Sequence, residues 1–203
     1  MRSTSLRGER LRQPCAASGF DNPARVQQPA DVTDEAVRDQ AGPDEAGRGD
    51  GSRTVLVVHH TPSPPTREIL EAVLAGARDP EITGVTVRVV PALGATVPDV
   101  LAADGFLFGT TANFGYMSGA LKHFFDTVYY PCLDAVAGRP YGLWVHGNND
   151  TAGAVASVRR LTTGLGLVQA AADLEITGPV DAKVREQCYE LGALVAATAA
   201  GEI

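Results

Sequence analysis

The sequence predicts an α/β fold, a doubly wound five-stranded parallel sheet with helices on both faces, over residues 53–203. Residues 1–52 are expected to form a disordered N-terminal extension. Three observations carry this reading. From Arg53 onward, short apolar or β-branched runs alternate with stretches of helical periodicity, giving five β–α units. Runs such as Val55-Leu56-Val57-Val58 and Phe106-Leu107-Phe108 lack polar alternation, as strands covered on both faces do. Upstream of Ser52, Arg, Asp, Glu, Gln, Pro and Gly dominate without any sustained period. Such a segment cannot bury enough apolar surface to offset the entropy of ordering it.

The elements follow in order. Thr54–His59 is a β-branched run and reads as the first strand; Arg67–Arg78 (REILEAVLAGAR) has helical spacing. Val85–Val90 is the second strand, and Pro98–Ala103 a short helix opened by its proline. Gly105–Gly109 is the third strand and Ser118–Tyr130 the helix after it. Tyr141–His146 and Val168–Ile176 are the fourth and fifth strands, followed by helices over Thr151–Thr163 and Asp181–Ala199.

Composition narrows the function. The 203 residues are 44% hydrophobic and 20% charged, with a formal net charge of -7. An acidic chain of this kind lacks the clustered positive charge that nucleic-acid or anionic-membrane binding requires. No apolar run approaches the roughly 18–20 residues of a membrane span. Cys15, Cys132 and Cys188 are odd in number and form no CxxC pair, which suits reduced thiols in a cytoplasmic protein and offers no metal motif. The Arg-rich start has no apolar segment behind it, so a secretory signal is not expected, an organelle transit peptide being the alternative. Residues 1–52 are either a functional arm or an over-long start.

In doubly wound sheets ligands bind beyond the carboxyl ends of the strands, so the chemistry is sought in the strand-to-helix loops. The first, His59–Leu70, holds Thr61, Ser63 and Thr66 at the start of a helix, where hydroxyls and N–H groups favour an anion. The same residues also simply start helices. The loop has neither GK[ST] nor GxGxxG, so it is neither a triphosphate loop nor a dinucleotide fingerprint. The third loop, Gly109-Thr110-Thr111-Ala112-Asn113-Phe114-Gly115-Tyr116-Met117, is uncharged, aromatic and glycine-bearing. It reads as a flat wall with close backbone approach for a planar ligand, or else as a turn whose aromatics fold into the core. The fourth, His146-Gly147-Asn148-Asn149-Asp150, is small and polar and would offer N–H donors to the edge of a ring. A phosphate at one end, an aromatic ring at the other and no adenine fingerprint together describe flavin mononucleotide (FMN).

The stretch Phe108-Gly109-Thr110-Thr111-Ala112-Asn113-Phe114-Gly115-Tyr116-Met117-Ser118-Gly119, continuing to Asp126, resembles the corresponding stretch of flavodoxin-like NAD(P)H-dependent oxidoreductases, including quinone and FMN reductases. The resemblance covers essentially residues 53–200 and implies a flavodoxin-like fold. It implies that Thr111, Ala112, Asn113, Phe114, Gly115, Tyr116 and Met117 wrap the isoalloxazine ring, with Thr61, Ser63, Thr66 and Arg67 at the phosphate. His146, Gly147, Asn148 and Asn149 would lie at the ring's polar edge. Two departures stand out. Pro64 and Pro65 occupy positions where the family carries N–H-bearing residues, leaving the N–H groups of Ser63, Thr66 and Arg67; Thr111 and Ala112 stand where proline and threonine are common. The implied activity is electron transfer from NAD(P)H, as co-substrate, through FMN to a quinone-like or other small aromatic acceptor. No catalytic side chain and no metal is called for, since the cofactor carries the chemistry. A homodimer or higher oligomer is implied. The alternatives are a non-enzymatic electron carrier of flavodoxin type and a flavodoxin-like binding protein that has lost FMN.

Overall fold

The computed structural model describes residues 51–203; the expectation for the N-terminal extension falls, except at its last two residues, outside the described residues. The chain runs β1 (Arg53–His59), α1 (Pro64–Ala77), β2 (Val85–Pro91), α2 (Val97–Ala102), β3 (Gly105–Asn113), β4 (Tyr116–Met117), α3 (Gly119–Cys132), β5 (Pro140–Gly147), α4 (Ala152–Gly164), β6 (Val168–Gln169), β7 (Leu174–Thr177) and α5 (Ala182–Ala200). The sheet order is β2-β1-β3-β5-β6, with β7 also on β5 and β4 on β3. Every pairing is parallel except β3 with β4. The expected doubly wound architecture is therefore present.

Strand alternation divides the core into two layers. Leu56, Val58, Phe106, Phe108, Leu143 and Val145 face α2, α3 and α4. Val55, Val57, Leu107 and Trp144 face α1 and α5. Successive residues point to opposite faces, which is why the buried middles of the central strands β1, β3 and β5 are apolar on both sides, whereas the edge strand β2 alternates. α1 and α5 lie close because each carries a glycine at the contact. A Cβ on Gly76 would fall 1.9 Å from the Tyr189 carbonyl oxygen, and one on Gly192 would fall 2.0 Å from that of Val73. The short α2 is held at its C-terminus by Arg139, whose guanidinium donates to the carbonyls of Val100 (3.1 Å), Leu101 (3.0 Å) and Ala103. A cation there complements the partial negative charge of a helix end.

Several boundaries differ from the sequence reading, each for a physical reason. α1 begins at Pro64 rather than Arg67, because Pro64 and Pro65 fill the first two helical positions, whose N–H groups have no intrahelical partner. β3 continues past Gly109 to Asn113, because Ala112 and Asn113 pair with Met117 and Tyr116. α3 runs to Cys132, through Pro131. The expected fifth strand is two pieces, β6 and β7. Between them Asp173 turns inward to Arg159 on α4 and accepts from Gln169 Nε2 at 2.8 Å, and after the Ala170 N–H bond to the Tyr141 carbonyl (2.9 Å) the chain leaves β5 until Leu174.

Candidate functional site

β1 leads through α1 to β2 on one side of the sheet, and β3 leads through α3 to β5 on the other. The strand order therefore reverses between β1 and β3, and the crevice outside their carboxyl ends is where such a fold receives a ligand. The three loops singled out in the sequence all leave the sheet at this end.

The first loop starts α1 and is closed upon itself. The Ser63 N–H donates to Thr66 Oγ1 at 3.0 Å, and Thr66 Oγ1 donates to the Ser63 carbonyl at 2.8 Å. The Thr66 N–H faces the Ser63 side chain in the reciprocal half of a capping box. The Arg67 N–H donates to the Ser63 carbonyl at 3.1 Å. The N–H groups of Ser63 and Arg67, counted as free from the sequence, are thus engaged. Thr66 is buried, whereas Ser63 is half-buried and Arg67 exposed. Thr61 Oγ1 lies 3.1 Å from His59 Nδ1. Burial, with the neighbouring His60 second, holds the His59 imidazole below its ordinary range. Beside this loop a cavity of about 270 Å³ opens between His59, His60, Pro62, Pro91 and Ala120.

The loop after β3 is a two-residue hairpin between β3 and β4. Phe114 has φ 51° and Gly115 φ 73°, the two positive φ values that a tight hairpin turn matching strand twist requires. Met117 is buried and anchors the hairpin, Phe114 is fully exposed at its tip, and Tyr116 is 44% exposed. Below it the Thr110 hydroxyl accepts from the Ser118 N–H (3.0 Å), and Ser118 Oγ caps α3 by accepting from Leu121 N–H (3.3 Å). The turn rests on the first turn of α4, where a Cβ on Gly153 would lie 2.0 Å from the Gly115 carbonyl oxygen. The hairpin and the role of Gly153 were missed from sequence, since a phenylalanine at positive φ is an uncommon turn residue. The spacing Asn113-Phe114-Gly115-Tyr116 was the available signal.

The loop from His146 to Asp150 leaves β5. Gly147 is buried, and a Cβ there would sit 3.1 Å from Ala112 Cβ, so this loop packs on the strand that carries the hairpin. Asn148 and Asn149 are exposed. Asp150 Oδ1 accepts from Ala152 N–H (2.9 Å), and the Thr151 hydroxyl donates to Glu175 Oε2 (2.6 Å), fixing the start of α4. His146 does not reach the hairpin by any hydrogen bond; its Nε2 lies 3.2 Å from the Gly178 carbonyl oxygen.

Two buried side-chain polar atoms among the described residues have no hydrogen-bond partner: His60 Nδ1 and Thr111 Oγ1. They lie just beyond the end of β1 and within the carboxyl end of β3, on the two strands that flank the crevice. A buried unpartnered polar group costs about 1–3 kcal/mol, so each calls for an explanation, and a ligand that completes the bond is one. By strand alternation His60 follows Leu56 and Val58 toward α2, α3 and α4, whereas Thr111 follows Leu107 toward α1 and α5, so the two atoms lie on opposite faces of the sheet. A second concavity, about 700 Å³, lies along α5 and the α1–β2 turn and is lined by Asp79, Glu81, Glu186, Glu190 and Glu202; its acidity is unsuited to a phosphate. The described cysteines, Cys132 and Cys188, are buried, and burial pushes the Cys188 thiol up to about 12. Among the described residues no helix is long and apolar enough to cross a membrane, and no group of three or more His, Cys, Asp and Glu is placed to hold a metal.

Strand order, helix placement and the crevice between β1 and β3 define the flavodoxin-like fold, and the chain has it. An archaeal flavodoxin superimposes with a TM-score of 0.63 at 18% identity, over 72% of this chain and 98% of that one. A WrbA-like flavodoxin from Agrobacterium tumefaciens does so with 0.59 at 20% identity, over 75% and 99%. No family model matches the chain. In sequence it is similar to a flavodoxin of Aquifex aeolicus, 42% identical over 74 residues and 36% of this chain. It is also similar to a probable NAD(P)H dehydrogenase (quinone) of Arabidopsis thaliana, 30% identical over 89 residues and 43% of this chain. The matched stretches span 39% and 29% of those two relatives. The resemblance to flavodoxin-like oxidoreductases drawn from the sequence is borne out by relatives of both kinds.

Proposed function

We propose that the chain is a flavin-dependent oxidoreductase that binds FMN through residues 53–203 and carries electrons from NAD(P)H to a quinone-like or other small aromatic acceptor. The observation that carries the reading is the unpartnered Thr111 Oγ1 on β3, the strand that carries the Phe114–Gly115 hairpin at the reversal of strand order. The similarity to a probable NAD(P)H dehydrogenase (quinone) supports the choice of electron donor and acceptor.

The flavin, when bound, supplies the hydride and electron chemistry. The chain's own residues bind and orient. Thr111 offers a hydroxyl, Phe114 and Tyr116 an apolar wall, and Ala112, Asn113, Gly115 and Met117 the backbone that sets that wall. The segment Gly147-Asn148-Asn149 presents N–H donors to the polar edge, where fixed dipoles stabilise negative charge. No side chain is assigned a proton-transfer role; the His146 ring is tied to Gly178. We place the protein in the cytoplasm as a homodimer or larger oligomer, with residues 1–52 outside the flavin-binding domain.

A second reading, an electron carrier without its own NAD(P)H activity, is favoured by the 42% identity to a flavodoxin. The two separate in one assay. Purified protein loaded with FMN is mixed with NADH or NADPH and benzoquinone, and nicotinamide oxidation is followed. Oxidation that requires both bound flavin and quinone is expected. Bound flavin with no oxidation above the free-FMN control would replace the reductase with the carrier.

A further inference from the structure

Resting on the flavin reading above, we propose that this chain holds its flavin by the ring end and does not select for the 5′-phosphate, so that riboflavin and FMN bind within about tenfold of each other.

A phosphate at the start of a helix is received by unengaged N–H groups of the helix N-terminus. Here three of those groups are removed by proline, and the Ser63 and Arg67 N–H groups are engaged. Pro64 and Pro65, the first two helical residues, have no N–H, and neither does Pro62. The Ser63 N–H goes to Thr66 Oγ1 (3.0 Å), the Thr66 N–H faces the Ser63 side chain, and the Arg67 N–H goes to the Ser63 carbonyl (3.1 Å). The hydroxyls are similarly engaged. Thr66 Oγ1 already has the Ser63 N–H and carbonyl, with Ser63 Oγ at 3.1 Å, and Thr61 Oγ1 has His59 Nδ1.

What is left for an anion is the half-buried Ser63 hydroxyl, the Thr61 and Thr66 N–H groups, the field of the helix and the exposed Arg67. An exposed guanidinium is screened by solvent and salt and adds little discrimination. A hydrogen bond to a charged group is worth on the order of tenfold or more in affinity. Two N–H groups removed by proline therefore forfeit about 100-fold of phosphate selectivity. The ring end has no such deficit: Thr111 Oγ1 is unengaged, and Phe114 and Tyr116 are exposed.

The test is a titration of flavin-free full-length protein with FMN and with riboflavin, followed by quenching of flavin fluorescence. It is repeated on the double variant Pro64→Gly/Pro65→Asn, which restores two N–H donors. The wild type is expected to bind the two flavins within about tenfold, and the variant to gain at least about tenfold for FMN alone. FMN bound about 100-fold or more tighter than riboflavin by the wild type would overturn the proposal, whether or not the variant folds. An unchanged FMN-to-riboflavin ratio in a folded variant would overturn it too. Binding of neither flavin by the wild type would overturn the flavin reading itself and this inference with it.

Discussion

His59 ends β1 half-buried, its Nδ1 against the Thr61 hydroxyl, and burial with the adjacent His60 lowers its pKa from 6.5. The unfolded chain therefore binds a proton at His59 more readily than the folded one. Stability from this residue is complete above 6.5 and declines as pH falls through 6.5 toward the lowered folded-state value. A melting series from about pH 7.5 to about 5.5 should show stability falling with acidification, and His59→Gln should flatten that slope. An identical slope in the variant would remove His59 as its source. At this scale the sequence was partly legible. Residue types in the first loop suggested an anion site, but which N–H groups were available depended on the capping box closing Ser63 onto Thr66. Periodicity does not report such a bond. The unpartnered state of Thr111 was likewise invisible, because it depends on what surrounds the hydroxyl in space.

Among the elements, the β3–β4 hairpin has the most direct connection to function. Gly115 has φ 73°, yet a Cβ there would meet nothing within 4 Å, so a side chain is opposed by backbone strain and not by crowding. Gly115→Val should reshape the turn at a cost of about 1–2 kcal/mol, given the penalty for a non-glycine residue in the left-handed region. The core packing is untouched, so the melting temperature should fall by only a few degrees while flavin content falls sharply. Undiminished flavin content in the variant would show that the hairpin is not the ring wall. The β–α units were legible because period-2 and period-3.6 patterns survive in single sequences. The hairpin was not, since its turn places a phenylalanine at positive φ. Nor was the break in the fifth strand, where Asp173 reaches Arg159 and Gln169.

For the whole molecule, the two-layer core and the strand order decide where a ligand can go, and both follow from the apolar runs and their succession along the chain. Two glycines let α1 and α5 close over one face, while α2, α3 and α4 cover the other. That leaves the carboxyl ends of β1 and β3 as the meeting place of the three loops. On the proposed reading, a ligand in the crevice supplies the missing partner of Thr111 Oγ1. Thr111→Val keeps the shape and deletes the unpartnered hydroxyl. Without flavin, the variant should melt no lower than the wild type, since a buried hydroxyl without a partner costs about 1–3 kcal/mol. With flavin, it should bind FMN about tenfold or more weakly. Melting temperature without flavin and FMN affinity, measured together on Thr111→Val, are expected to show equal or higher stability with weaker FMN binding; a destabilised variant that binds FMN as the wild type does would show that Thr111 does not serve the ligand.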